Sequence, residues 1–194
     1  MTLLFGGSTI CELLISPDVN PLDITRLVSQ PFGRWVADLG PPNAGARGAT
    51  PSESSAETGT SGGPLGQVGW YFEPWTTARA GPMNAGVTAW FRRARHGVVA
   101  GVALARFSTS GPFHYGLSTR PDECLAAVGL HVANPPVPAG SGAYCVRTAR
   151  PAVPYAVLVI DDSYTDVWVY GSAEDVRNGP LPSGVSPSDL LNGT

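Results

Sequence analysis

Hydrophobic and polar positions alternate along several stretches of the chain from Gln67 onward. From Gln67 to Trp75, Val68, Trp70 and Phe72 recur at every second position, which predicts a strand with one buried side. Val87 to Arg95 and Val98 to Ser108 predict two more strands around His96-Gly97. The second of these is rich in strand formers: Val98, Val99, Val102, Leu104 and Phe107. Ala143 to Thr148 and Tyr155 to Ile160 also predict strands. Asp161-Asp162-Ser163 supplies a turn, and Thr165 to Tyr170 returns as the partner strand.

Helical signals are fewer. Asn20-Pro21-Leu22-Asp23 combines an N-cap, a proline at the first helical position and an acid in the first turn. Leu22, Ile24, Leu27 and Val28 give that helix an apolar face, and Pro31 ends it. Trp35, Val36 and Leu39 suggest a short further turn. Pro121-Asp122-Glu123 opens a short helix to Val128, capped by Ser118 or Thr119 and stopped at Gly129. Ala173 to Arg177 is a helical turn at most.

The clear interruption runs from Pro41 to Gly66, with Pro41-Pro42, Pro51-Ser52-Glu53-Ser54-Ser55 and Gly62-Gly63-Pro64. Such a stretch holds too little apolar surface to order itself and reads as a linker or long surface loop. The organisation expected is an N-terminal arm (1–40), the Gly/Pro/Ser-rich loop (41–66), a core (67–180) and a flexible tail (181–194).

Composition fits one globular domain of 194 residues, but only 14% of residues are charged and all 12 basic residues are arginine. A GC-rich genome is the plain explanation for the missing lysine, and selection against modifiable amines is the alternative. A net charge of −3 argues against a nucleic-acid partner. The run Arg92-Arg93-Ala94-Arg95 lacks a surrounding basic patch and reads as an exposed strand end or a local anion contact. Cys11, Cys124 and Cys145 have no metal-ligand spacing, and reduced, partly buried thiols are the default. No run approaches the ~18 apolar residues needed to span a bilayer, so no membrane partner is expected. Met1 is followed by no basic region, so no signal peptide is expected either. The compartment stays open.

Chemistry concentrates between Phe113 and Arg177. Tyr115-Gly116 is followed by Ser118-Thr119-Arg120-Pro121, Gly129-Leu130, Gly142-Ala143-Tyr144-Cys145-Val146, Tyr155, and Thr165-Asp166-Val167-Trp168-Val169-Tyr170. In order and spacing these resemble the pocket-forming half of the ADP-ribosyltransferase superfamily. Tyr115-Gly116, Gly129-Leu130, the Tyr144 segment and Tyr155 are similar to the poly(ADP-ribose) polymerase branch. Ser118-Thr119-Arg120-Pro121 looks like the Ser-Arg-Pro run of pertussis-toxin-like transferases.

The resemblance implies an α+β fold: an ADP-ribosyltransferase-like split, mostly antiparallel β core with short helices. It implies NAD as substrate, with His114, Tyr115, Gly116, Ser118 and Tyr155 as cofactor-binding residues. Tyr144 would face the nicotinamide ring together with Tyr155, and Asp166 would stand where the family has its catalytic Glu. Tyr144, Tyr155 and Asp166 should then line one cleft. The chemistry is economical. An aromatic face holds the cationic nicotinamide, and a carboxylate holds the ribose hydroxyl while the glycosidic bond breaks towards an oxocarbenium-like state.

The chain departs from the family at three points. Tyr115 or Gly116 stands where the family has His or Arg, with His114 adjacent. Asp166 is one methylene shorter than Glu, enough to misplace the carboxylate by roughly 1 Å. Tyr164 sits where arginine-directed enzymes carry a second Glu.

Two functions follow. One is an NAD-dependent mono-ADP-ribosyltransferase acting on an unknown protein or nucleic-acid target. The other is a catalytically degenerate module with a structural or binding role, whose composition would suit an assembly surface such as that of a virus particle. Strand packing alone also explains Tyr144, Tyr155 and the Trp168–Tyr170 alternation. Asp161-Asp162 reads as turn chemistry and Glu174 as an exposed helix residue. His96 and His131 have no local partner.

Overall fold

A computed structural model describes residues 23–42, 65–77, 81–95, 97–109, 129–130, 132, 134–140, 142–161 and 164–192. Seven strands form one sheet in which every pairing is antiparallel: β1 (Gly66–Thr77), β2 (Gly81–Ala94), β3 (Gly97–Thr109), β4 (Val137–Pro138), β5 (Ala143–Arg147), β6 (Tyr155–Ile160) and β7 (Tyr164–Tyr170). The order is β1-β2-β3-β7-β6-β5-β4. Two meanders, β1–β3 and β4–β7, are thus zipped together by β3 and β7. With three short helices among the described residues the core is α+β and antiparallel, the coarse fold class expected.

Alternating side chains give the sheet two unlike faces. The first carries Val68, Trp70, Val87, Ala89, Phe91, Ala105, Val146, Ala156, Leu158, Val167 and Val169, all buried in the main core. The N-terminal segment covers this face, with Ile24, Leu27, Val28 and Trp35 buried in the same cluster. Residues 23–39 are therefore core rather than an arm.

The local structure of this segment also differs from expectation. A 3-10 turn, Ile24–Arg26, is capped by Asp23, whose carboxylate accepts from the Thr25 N–H at 3.2 Å. Asn20 and Pro21 lie outside the described residues. Pro31 does not end a helix; it caps the start of α1 (Phe32–Leu39), where its missing N–H costs nothing. Phe32 and Trp35, one turn apart on α1, meet Phe91 edge-on at 5.3 and 5.7 Å. Trp35 also stacks on Trp70 at 5.6 Å. The Trp70 indole N–H donates to the Gly40 carbonyl at 2.9 Å and fastens the end of α1 to β1.

The second face carries a smaller cluster: Val102, Ala143, Cys145, Val157, Tyr170, Val176, Val185 and Leu190. It is covered by α2 (Ala173–Asn178), by α3 (Pro187–Asn192) and by the segment between them. The segment expected as a flexible tail packs against this cluster. Leu181, Pro182, Val185 and Leu190 supply enough apolar anchors to dock it as far as Asn192.

One irregularity links the helices to the sheet. β3 carries an extra residue between Ala100 and Val102, opposite the Trp90–Phe91 step of β2. The extra residue is Gly101. A Cβ there would fall 2.2 Å from Asp175 Oδ1. The missing side chain lets the Asp175 carboxylate reach the sheet and accept from Arg92 Nε at 2.8 Å. Ser172 caps α2 by accepting from the Asp175 N–H at 3.1 Å and donates its hydroxyl to Asp175 Oδ2 at 2.6 Å.

The expected helix at 121–128 and most of the 41–66 loop lie outside the described residues.

Candidate functional site

Of the residues the resemblance places around NAD, His114, Tyr115, Gly116 and Ser118 lie outside the described residues. Asp166, Tyr144 and Tyr155 are described, and strand register decides where they stand.

Asp166 on β7 pairs with Arg106 on β3 and Val159 on β6, and Val159 pairs with Ala143 on β5. Val159 and Ala143 belong to the second face. Tyr155 pairs with Tyr170 and Arg147, also on the second face. Tyr144 follows Ala143, so it points the other way. Its register neighbours are Leu158 and, beyond it, Val167, and it packs against the main core of the first face.

The single cleft expected for Tyr144, Tyr155 and Asp166 is therefore corrected: the sheet itself separates Tyr144 from the other two. Tyr155 and Asp166 share a face, but four residues of strand separate their register positions. That is roughly 13 Å at the usual strand rise.

The chemistry at Asp166 is that of a closed ion pair. Arg106 Nε donates to Oδ1 at 2.7 Å and Arg106 Nη2 to Oδ2 at 2.6 Å. This fork engages both carboxylate oxygens. The Asp166 side chain is 4% exposed and that of Arg106 52%. The guanidinium also lies over the Tyr164 ring, 4.5 Å from its centre. Its pKa is raised, first by the hydrogen bond to Asp166, against the opposing effect of burial.

Tyr155 is similarly occupied. The Arg147 guanidinium sits over its ring at 4.0 Å and donates from Nη2 to the Leu191 carbonyl at 2.7 Å. One face of the tyrosine thus already holds a cation, the charge type that nicotinamide would bring. Beside them Trp90 and Trp168 stack on each other at 5.3 Å. Trp90 with Trp168, Arg106 with Tyr164 and Arg147 with Tyr155 are thus paired with one another within the chain.

Gly142 has a structural reason of its own. Its φ is +71°, and a Cβ would lie 2.4 Å from the Ile160 carbonyl, where the end of β6 meets the start of β5. The Ile160 N–H donates to the Gly142 carbonyl at 2.8 Å.

Arg106, Arg147, the Arg92–Asp175 pair and the Arg150–Asp23 pair carry the polar organisation, through pairings that residue type and spacing do not reveal. The Ser172-x-x-Asp175 spacing was the one readable signal, as a capping box. Glu174 is exposed in the first turn of α2. The Cys145 thiol is free, buried, and pushed up to about 11 by desolvation. Among the described residues no group of His, Cys, Asp and Glu could hold a metal, and no helix is long and apolar enough to cross a membrane. Comparison with protein-family models, with curated proteins and with solved structures finds no match.

Proposed function

We propose that this domain is a non-catalytic module with a structural or binding role towards an assembly partner, rather than a working NAD-dependent transferase. The observation that carries the reading is the Asp166 carboxylate. Both of its oxygens are engaged by one arginine fork and its side chain is almost wholly buried, which leaves it poorly placed to take a ribose hydroxyl. Two further observations support it: Tyr144 belongs to the opposite face of the sheet, and the Tyr155 ring is covered by Arg147.

The test is calorimetric titration with NAD up to millimolar concentration, together with an assay for nicotinamide release, on wild type and Asp166→Asn. No turnover by either protein is expected. Wild-type turnover abolished by Asp166→Asn would overturn the proposal in favour of mono-ADP-ribosyl transfer with Asp166 as the essential carboxylate. Turnover that survives the substitution would overturn it as well and place the essential group elsewhere. Binding without turnover keeps the module non-catalytic and identifies NAD as a ligand.

A further inference from the structure

After α2 the chain runs back across the second face as a band from Gly179 to Asn192. It is anchored to the sheet through side chains: the Tyr170 hydroxyl donates to the Pro180 carbonyl at 2.9 Å, and Arg147 donates to the Leu191 carbonyl. Val185 and Leu190 are buried in the small cluster, with Leu181 and Leu191 packed beside them. Among the described residues the band makes no backbone–backbone hydrogen bond to a strand. Its one helix, α3, has six residues, too few to hold together without docking. The main core lies on the other face and includes no residue of the band.

We propose that residues 179–192 act as a strap that opens as a unit while the sheet and its main core stay folded, uncovering an apolar patch formed by Ala143, Cys145, Val157 and Tyr170. The reason is a division of cohesion. The strap draws its stability from one small cluster and a few side-chain bonds. The strands draw theirs from a continuous ladder and the larger core. Elements with few buried contacts and no ladder open well below the global unfolding free energy. This inference does not depend on whether NAD binds.

Cys145 lies under the strap and is 1% exposed, so its alkylation reports opening. The experiment uses the full chain carrying Cys11→Ser and Cys124→Ser. Iodoacetamide labelling of Cys145 is followed in increasing urea beside global unfolding by circular dichroism. Labelling should proceed in the native state with a urea dependence well below that of global unfolding. Leu190→Ala should accelerate it by about tenfold or more. Phe91→Ala, in the main core, should lower global stability and leave native-state labelling unchanged. Labelling that shares the urea dependence of global unfolding and accelerates equally in both variants would overturn the proposal. If the cysteine substitutions prevent folding, hydrogen exchange of unsubstituted protein decides. Residues 185–192 should exchange ahead of β6 and β7, and equal protection would overturn the strap.

Discussion

The two faces of the sheet are held by different physics. The first is mostly apolar: an aromatic cage of Phe32, Trp35, Trp70 and Phe91 set among aliphatic residues from β1–β3, β5–β7 and the N-terminal segment, with Arg150 on Asp23 of that segment at 3.3 Å. The second interleaves a smaller apolar cluster with arginine: Arg92 on Asp175, Arg106 on Asp166 and Tyr164, Arg147 on Tyr155. Burial of apolar area is non-directional and stabilises the whole sheet. Fork and stacking geometries are directional and add little energy when half in water, but they fix which groups are left free to act. The contrast explains how residues with the look of a catalytic set can sit in a sheet that uses them structurally.

The largest effect should come from the first face. Phe91→Ala empties the centre of the cage and should cost about 3–5 kcal/mol in urea denaturation. Trp168→Ala, whose indole is only half-buried on the second face, should cost clearly less. Equal losses would break the ranking of the two faces. Next comes the bulge. Gly101→Ala drives a methyl into the Asp175–Arg92 pair and should cost about 1–3 kcal/mol. In an Asp175→Ala background the same change should cost much less. A double-mutant cycle that proves additive would show that the carboxylate does not occupy the space left by Gly101.

The first face was the more legible one. Val68, Trp70 and Phe72, or Val98 to Phe107, announce strands by period and residue type, and β1–β3 and β5–β7 stand where those patterns lie. The N-terminal segment was misread because proline carries two meanings. Pro31 breaks a preceding helix or opens a following one, and only the burial of Trp35 decides.

The second face depends on register, which residue type does not encode. β5 and β6 pair even positions with even and odd with odd, so Tyr144 and Tyr155 fall on opposite sides. β6 and β7 pair even with odd, so Tyr155 and Asp166 fall on the same side. A one-residue change in either connection would have reversed these outcomes. The strap was hidden by its prolines, serines and glycines, although Leu181, Val185 and Leu190 were in plain view.

A smaller effect sharpens the reading of Asp166. Asn keeps the size and one acceptor oxygen, while Arg106, more than half exposed, turns to water. Asp166→Asn should therefore cost about 1 kcal/mol or less by thermal or urea denaturation. A loss of several kcal/mol would show that the pair behaves as a buried ion pair, and the second face would then be held by charge more than by its apolar cluster.

The smallest effect concerns the start of α3. The Ser186 hydroxyl and N–H both donate to Asp189 Oδ2, at 2.6 and 2.8 Å. These bonds, the side-chain one first, hold the Asp189 carboxyl below its ordinary value of 3.8. A carboxyl with a lower pKa when folded stabilises its element above the unfolded value, and the contribution is lost as pH falls through the folded value. Protection of the Asp189 and Leu190 amides, corrected for intrinsic exchange, should accordingly fall as the pH drops below that ordinary value while that of β6 holds. Asp189→Asn should remove this pH dependence. The group is fully exposed, so the change should be slight. If β6 loses protection in step with α3, the strap and the sheet open together, and the independence of the two faces fails.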